Sequence, residues 1–190
     1  MTGKILGIDP GSRTTGYAVL IEEQGSYSAG VCDVIRMEKM DDHNERLQFI
    51  FDQVTGLLKK HKPDFCAVET PIYGVDPLAM LKLGRAQAAA ILAITNSGLP
   101  VSEYYPKAIK KAITGNGNAS KKQVAFMLDK LIRLPEGKLS ADATDALAVA
   151  WCHHTHMGRA PSRKGDQKQH QNNSKSSWKA FVEQNPDRVK

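Results

Sequence analysis

Three consecutive segments with strand character open the chain, and an alternation of helical and extended segments follows; that order limits the fold more than any other feature. Lys4 to Asp9 is a short apolar run, Pro10-Gly11-Ser12 breaks it, and Tyr17 to Ile21 resumes an extended pattern, so a hairpin is expected. Ser28 to Arg36 supplies a third strand. Asn44 to His61 then places Leu47, Ile50, Phe51, Val54, Leu57 and Leu58 at helical spacing and stops before Pro63. Asp64 to Thr70 reads as a buried strand around Phe65-Cys66-Ala67-Val68, terminated by Glu69 and the helix-incompatible Pro71. Pro77 to Ser97 is an Ala-rich helix closed by Gly98, and Val101 to Tyr104 is a short strand ahead of Pro106. Lys107 to Thr114, Lys121 to Leu134 and Ala141 to His156 give three further helices, the middle one announced by Ser120 as an N-cap. The pattern predicts an α/β fold: a mixed sheet, antiparallel in its first half and extended by parallel strands, flanked by helices.

A chain of 190 residues that is 41% hydrophobic suits one domain with a real core, taken here as residues 1–157. From 158 to 190 the sequence is Gln, Asn, Ser, Lys and Arg with almost no apolar spacing, which predicts a basic, disordered tail. Trp178, Phe181 and Val182 could form one amphipathic turn there. The charge of +6 belongs largely to this segment, which holds eight Lys or Arg against three acids, leaving eighteen against seventeen elsewhere. A nearly neutral body binds nucleic acid only if its charges are segregated into an acidic cleft and a basic rim. Cys32, Cys66 and Cys152 are far apart without metal-type spacing, as expected of buried thiols in a reducing compartment. No uninterrupted run of about 18 apolar residues and no signal-peptide pattern is evident, so a cytoplasmic protein away from membranes is expected.

Carboxylates stand at the places where such a sheet offers ligands. Asp9 lies where the first strand meets a Gly-rich turn, and Glu69 ends a strand expected to lie parallel to it. Either acid alone could be a turn cap or a surface residue. Asp142 and Asp145 are three apart in a helical segment continued by Leu147, Ala148 and Trp151, so both project from one face. Like charges so placed repel unless a cation binds, although Asp142 could equally be a helix-start residue favoured by the macrodipole.

Ile5-Leu6-Gly7-Ile8-Asp9-Pro10-Gly11-Ser12 with Thr15-Gly16-Tyr17, then Val68-Glu69, then Leu81-Lys82-Leu83-Gly84-Arg85-Ala86, and Asp142-Ala143-Thr144-Asp145-Ala146-Leu147-Ala148, resemble the RuvC family in order and spacing over roughly residues 3–156. That resemblance implies an RNase H-like mixed five-stranded sheet, with Asp9, Glu69, Asp142 and Asp145 as catalytic acids. It further implies two Mg²⁺ per subunit, replaceable by Mn²⁺, and a homodimer that nicks four-way junction DNA in pairs, leaving 5′-phosphate and 3′-hydroxyl ends. Two-metal chemistry leads to the expectation that Asp9 bridges both ions, Glu69 holds the nucleophile-side ion, Asp145 the other, and Asp142 completes or orients that shell. RuvA and RuvB are the partners it suggests. Two other classes remain to be separated from this one: a catalytically silent binding module, and an actin-like ATPase sharing the Gly7-Ile8-Asp9 turn but needing a second lobe that 190 residues do not supply.

DNA contacts call for other residues. Lys107, Lys110 and Lys111 precede the turn Gly115-Asn116-Gly117-Asn118, and Lys121-Lys122 open the next helix, an arrangement suited to gripping phosphates, with a solvated helix face as the alternative. By the resemblance, Lys110 and Lys121 occupy basic DNA-contact positions. After Glu69 the chain departs from the family pattern: Ile72-Tyr73-Gly74-Val75-Asp76-Pro77 lacks the usual Lys-Asn, leaving Tyr73 to stack on an unpaired base. Lys82 and Arg85 could be backbone contacts or the polar face of an interfacial helix, whose Ala79, Ala86, Ala89, Ala90 and Ala93 suit either a dimer contact or the monomer core. His153, His154 and His156 are expected to cap carbonyls or face solvent.

Overall fold

The structure, a computed structural model of the protein, describes residues 3–72, 74 and 76–157. Along Gly3–Asp9 (β1) the buried residues divide by parity, Leu6 and Ile8 entering one core and Ile5 another, because successive strand side chains project to opposite faces. Strand Thr14–Glu23 (β2) returns antiparallel to β1, and Ser26–Arg36 (β3) returns antiparallel to β2. The β2–β3 turn is Gln24-Gly25, both at positive φ (51° and 80°), the geometry that lets two residues close a twisted hairpin. Phe65–Glu69 (β4) and Val101–Tyr104 (β5) then add in parallel on the other side of β1, giving the order β3-β2-β1-β4-β5. This is the mixed, half-antiparallel sheet expected from the order of segments, and it has the RNase H-like architecture.

Helices cover both faces. His43–His61 (α1), capped by Asp42, and Pro77–Asn96 (α2), capped by Asp76 with Pro77 in its first turn, enclose one core with Leu6, Ile8, Val19, Cys66 and Val68 of the sheet. Pro106–Thr114 (α3), Lys121–Leu131 (α4) and Ala141–Met157 (α5) enclose the other with Ile5, Ala18, Leu20 and Ala67. Ser120 and Gln123 form a reciprocal capping box that fixes the start of α4.

Several segments differ from their sequence reading. Strand β2 begins at Thr14 rather than Tyr17, because Gly16 lies inside the strand. Helix α4 stops at Leu131, short of Leu134: Ile132 turns extended, and Arg133 exchanges backbone hydrogen bonds with Tyr27 and Ala29 at the end of the hairpin. His153 is buried, its Nδ1 2.9 Å from the Tyr104 hydroxyl, while His156 Nδ1 lies 2.7 Å from the Cys152 carbonyl as a cap would. Of the alanines on α2, Ala86, Ala89, Ala90 and Ala93 are spent on the monomer core, and Ala79 is exposed. Among the described residues α2 alone has the length and mean hydropathy, 1.3, to cross a bilayer, yet it carries Lys82 and Arg85 and packs that alanine face on the sheet. Cys66 and Cys152 are buried and Cys32 is half-buried. Residues 158–190, including Trp178, Phe181 and Val182, and Tyr73 lie outside the described residues.

Candidate active site

Parity and register together place the first two acids. Asp9 lies two residues beyond Gly7 and Glu69 two beyond Ala67, both on the α5 side of the sheet. Their strands pair in parallel up to Ile8 with Val68, so the two carboxylates leave the carboxyl ends of neighbouring strands side by side. The turn after Asp9 is tied by the fully buried Thr15, whose hydroxyl donates to the Gly11 carbonyl at 3.2 Å and accepts from the Gly11 amide at 3.3 Å. Beyond Glu69, the Thr70 amide donates to the Tyr104 carbonyl, and the buried Gln87 donates from Nε2 to Glu103 Oε2 at 2.7 Å, bracing the ends of β4 and β5.

Two glycines bring the other acids in. A Cβ on Gly7 would sit 2.2 Å from the Ala146 carbonyl oxygen, and one on Gly16 would sit 2.0 Å from that of Asp142. Helix α5 therefore lies directly on the backbone of β1 and β2, and its first turn, where Ser140 Oγ accepts from the Ala143 amide, carries Asp142 and Asp145 to Asp9. Oxygen atoms of Asp9, Asp142 and Asp145 lie within 4.8 Å of one another. Glu69 stands outside that tight group but lines the same cleft, about 240 Å³, together with Asp9, Asp145, Lys110, Lys121, Pro106 and Ile109.

The electrostatics follow from this crowding. Burial, then the charges of Asp145 and Asp142, pushes the Asp9 carboxyl up to about 6, against a partial offset from Lys121. Burial, then Asp9 and Asp145, pushes Glu69 up to about 8, offset in part by Lys121 and Lys110. Among the described residues a direct cation contact to these acids is made by Lys121 Nζ to Asp145 Oδ2 at 2.5 Å, and that hydrogen bond raises the lysine above its ordinary value. Three hard oxygen ligands converging from a rigid scaffold, with one ammonium among them, form a donor set that fits a divalent cation such as Mg²⁺.

The basic residues separate into groups. Lys110 and Lys121 line the cleft, whereas Lys122 faces an adjacent groove on the far side of α4. Lys107 is exposed in the first turn of α3, where the 115–118 loop folds back so closely that a Cβ on Gly117 would sit 3.0 Å from the Lys107 carbonyl oxygen. Lys82 and Arg85 are exposed on α2, away from the cleft, with charges that reach the His43 ring and push it below its ordinary value, after burial. Sequence reasoning missed Thr15, the Gln87–Glu103 brace and the contact role of Gly7 and Gly16. The last had a signal, since glycine inside a strand marks a close backbone approach.

Comparisons with known proteins agree with this geometry. A family model described as crossover junction endodeoxyribonuclease RuvC matches residues 5–153. A protein of that name from Salinibacter ruber is 47% identical over 185 residues, covering 97% of this chain and 98% of its own length. Another, from Porphyromonas gingivalis, is 43% identical over 188 residues, covering 98% and 96%. Among solved structures, T. thermophilus RuvC in complex with a Holliday junction substrate superposes with a TM-score of 0.75 at 29% identity, over 82% of this chain and 96% of that one. The yeast mitochondrial resolvase Ydc2, at 14% identity and a TM-score of 0.58, shares the fold over 82% of each chain.

Proposed function

The chain belongs to the RuvC family of crossover junction endodeoxyribonucleases, and from that premise we propose that it resolves four-way DNA junctions by paired, Mg²⁺-dependent nicks that leave 5′-phosphate and 3′-hydroxyl ends. The observation that carries this reading is the convergence of Asp9, Asp142 and Asp145, with Glu69 in the same cleft, from two parallel strands and the helix laid across them. Asp9, Asp142 and Asp145 would hold one cation between them, and Asp9 with Glu69 a second. Bound there, the ions would supply Lewis-acid polarisation of the phosphodiester and acidify an attacking water.

The protein's own groups do the rest. Sheet and helix hold the carboxylates fixed before substrate arrives, so little reorganisation accompanies the reaction. Lys110 and Lys121, on the opposite wall, place ammonium charge where phosphate oxygens enter, and Lys107 and Lys122 extend that grip outside the cleft. Glu69, beside Asp9 on the cleft wall, would in its ionised form help hold a cation and orient the attacking water, whose proton passes to solvent. Water attacks phosphorus, the P–O3′ bond breaks, and the departing 3′ oxygen takes up a proton.

Two-fold substrate symmetry calls for two copies. Helix α2 presents Leu78, Leu81, Arg85, Ala88 and Leu92 outward at spacings of three and four, with Leu78 70% and Leu92 60% exposed. Beside them a groove of about 350 Å³ is lined by Leu47, Phe51 and Ala89. This stripe is the homodimer face in our reading, with Lys82 and Arg85 at its edge toward DNA. Tyr73 stacks at the junction centre, RuvA and RuvB are the branch-migration partners, and the site of action is the cytoplasm, where the DNA is. The test incubates wild-type protein with a synthetic four-way junction and Mg²⁺. Symmetric, metal-dependent nicks that vanish in Asp9→Asn while junction binding persists are expected; uncut junctions of varied sequence, or full cleavage by Asp9→Asn, would overturn the reading.

A further inference from the structure

Helix α4 has a cleft side and an outer side. Its Lys121 and Val124 line the acidic cleft, and Val124 and Leu128 are buried in the core, which fixes how the helix is turned. On the outer side, Lys122, Phe126 and Lys130 succeed one another at intervals of four and form one stripe. Phe126 is 62% exposed, and Lys130 Nζ lies 5.6 Å from the centre of its ring. Lys122 and Phe126, with Thr114, Gln123 and Met127, line a groove of about 410 Å³ between the end of α3 and the first turns of α4. A large apolar ring held in solvent between two ammonium groups, beside an apolar groove, is the combination that binds a nucleic-acid strand: aromatic face for a base, cations for the flanking phosphates.

The position suits a specific occupant. Lys121 reaches Asp145 at the cutting site, and Phe126 lies five residues on, about 7.5 Å along the helix axis. The two side chains are also turned about 140° apart around the helix, so a DNA strand that passes from the acids round the first turn of α4 meets the ring several nucleotides from the cut. At a branch point base stacking is interrupted, so a base there is free to leave the duplex and lie on the ring. We propose that Lys122, Phe126 and Lys130 form a second DNA contact, in which Phe126 stacks on an unstacked base of the strand leaving the cleft and the two lysines neutralise its neighbouring phosphates. The proposal rests on the junction-cutting function above and adds to it a determinant of recognition for branched over linear DNA.

The experiment measures binding of a labelled four-way junction and of a linear duplex of matching sequence by fluorescence anisotropy, without divalent metal, for wild type, Phe126→Leu, Phe126→Trp and the double variant Lys122→Ala/Lys130→Ala. Because all three side chains are exposed, thermal melts should coincide. Phe126→Leu should weaken junction binding about tenfold, the size expected for one lost stack, and leave duplex binding nearly unchanged. Phe126→Trp should restore it. The double lysine variant should flatten the dependence of log K on log salt by roughly 1.5, as for two phosphates. Junction affinity unaltered by Phe126→Leu, an equal loss on duplex, or a change in oligomeric mass without a change in DNA affinity would each overturn the proposal. Wild type that prefers no junction over duplex would instead bring down the resolvase reading, and this contact with it.

Discussion

Replacing Gly16 by alanine tests the assembly of the acidic cluster more sharply than removing an acid does. The added Cβ would lie 2.0 Å from the Asp142 carbonyl oxygen and 3.2 Å from the Asp142 Cβ. Restoring the 3.4 Å of ordinary van der Waals contact requires a displacement of about 1.4 Å. Two relaxations are open, and both spoil the site. If α5 lifts, Asp142 moves away from the sheet; if β2 yields, Asp9 moves with it, since Asp9 is the register partner of Gly16. A misplacement of about 1 Å can lower a rate about a hundredfold, while overpacking of this kind destabilises by about 1 to 3 kcal/mol. Under single turnover with saturating enzyme, Gly16→Ala should therefore cut a four-way junction about a hundredfold more slowly. Junction affinity without metal should stay near wild type, because the lysines proposed to grip DNA are on α3 and α4. Gly3→Ala, with nothing within 4 Å of the new atom, is the control and should behave as wild type. A Gly16→Ala protein that cuts at the wild-type rate would refute the claim that this contact sets the spacing of the acids.

Three further outcomes follow from the same coordinates. Gly56 is exposed within α1 and its added Cβ would meet nothing within 4 Å, so Gly56→Ala should raise stability by about 0.5 to 1 kcal/mol in urea unfolding; a loss would count against an unstrained helix there. Asp9 and Glu69 hold their protons up to about 6 and about 8 and must shed them to ligate metal, so Mg²⁺ affinity of the DNA-free protein should rise as pH increases through that window, with proton release visible by calorimetry in buffers of different ionisation enthalpy. A flat profile would show the two carboxylates already ionised. Burial, then the charges of His156 and His154, holds His153 below the ordinary value of 6.5. Its unfolded state therefore takes up protons first, so its contribution to stability is complete above pH 6.5 and is lost as pH falls through the lower folded value. His153→Leu should flatten that acid limb in urea midpoints measured against pH, and an unchanged slope would argue that another group governs it.

Most of the sheet was legible because its cues are local. The short apolar run of β1, the apolar run ending at Glu69, and Pro63, Pro71 and Pro106 as punctuation marked the strand ends where Asp9 and Glu69 emerge. What misled was local too. The extended pattern after Pro10-Gly11-Ser12 is legible only from Tyr17, whereas Gly16 is in the strand and admits α5. Ile132 and Leu134 prolong the helical spacing of α4, yet Arg133 pairs with the β2–β3 hairpin, a tertiary demand the spacing does not record. His153 counted as a helix-end polar residue until Tyr104 arrived from β5 to accept it into the core. The acids themselves were identifiable, but the closeness of Asp142 to Asp9, and the position of Glu69 on the cleft wall outside the tight trio, depend on how near a helix can lie to a sheet.

Because the trio joins β1 to α5, a ribosome must make most of residues 1–157 before the proposed cation site can assemble. A nascent chain that has emerged only through β5 would own Asp9 and Glu69 yet lack Asp142 and Asp145. On the proposed function such a chain could not cut DNA, so the layout of the polypeptide itself delays that activity until α5 has been made.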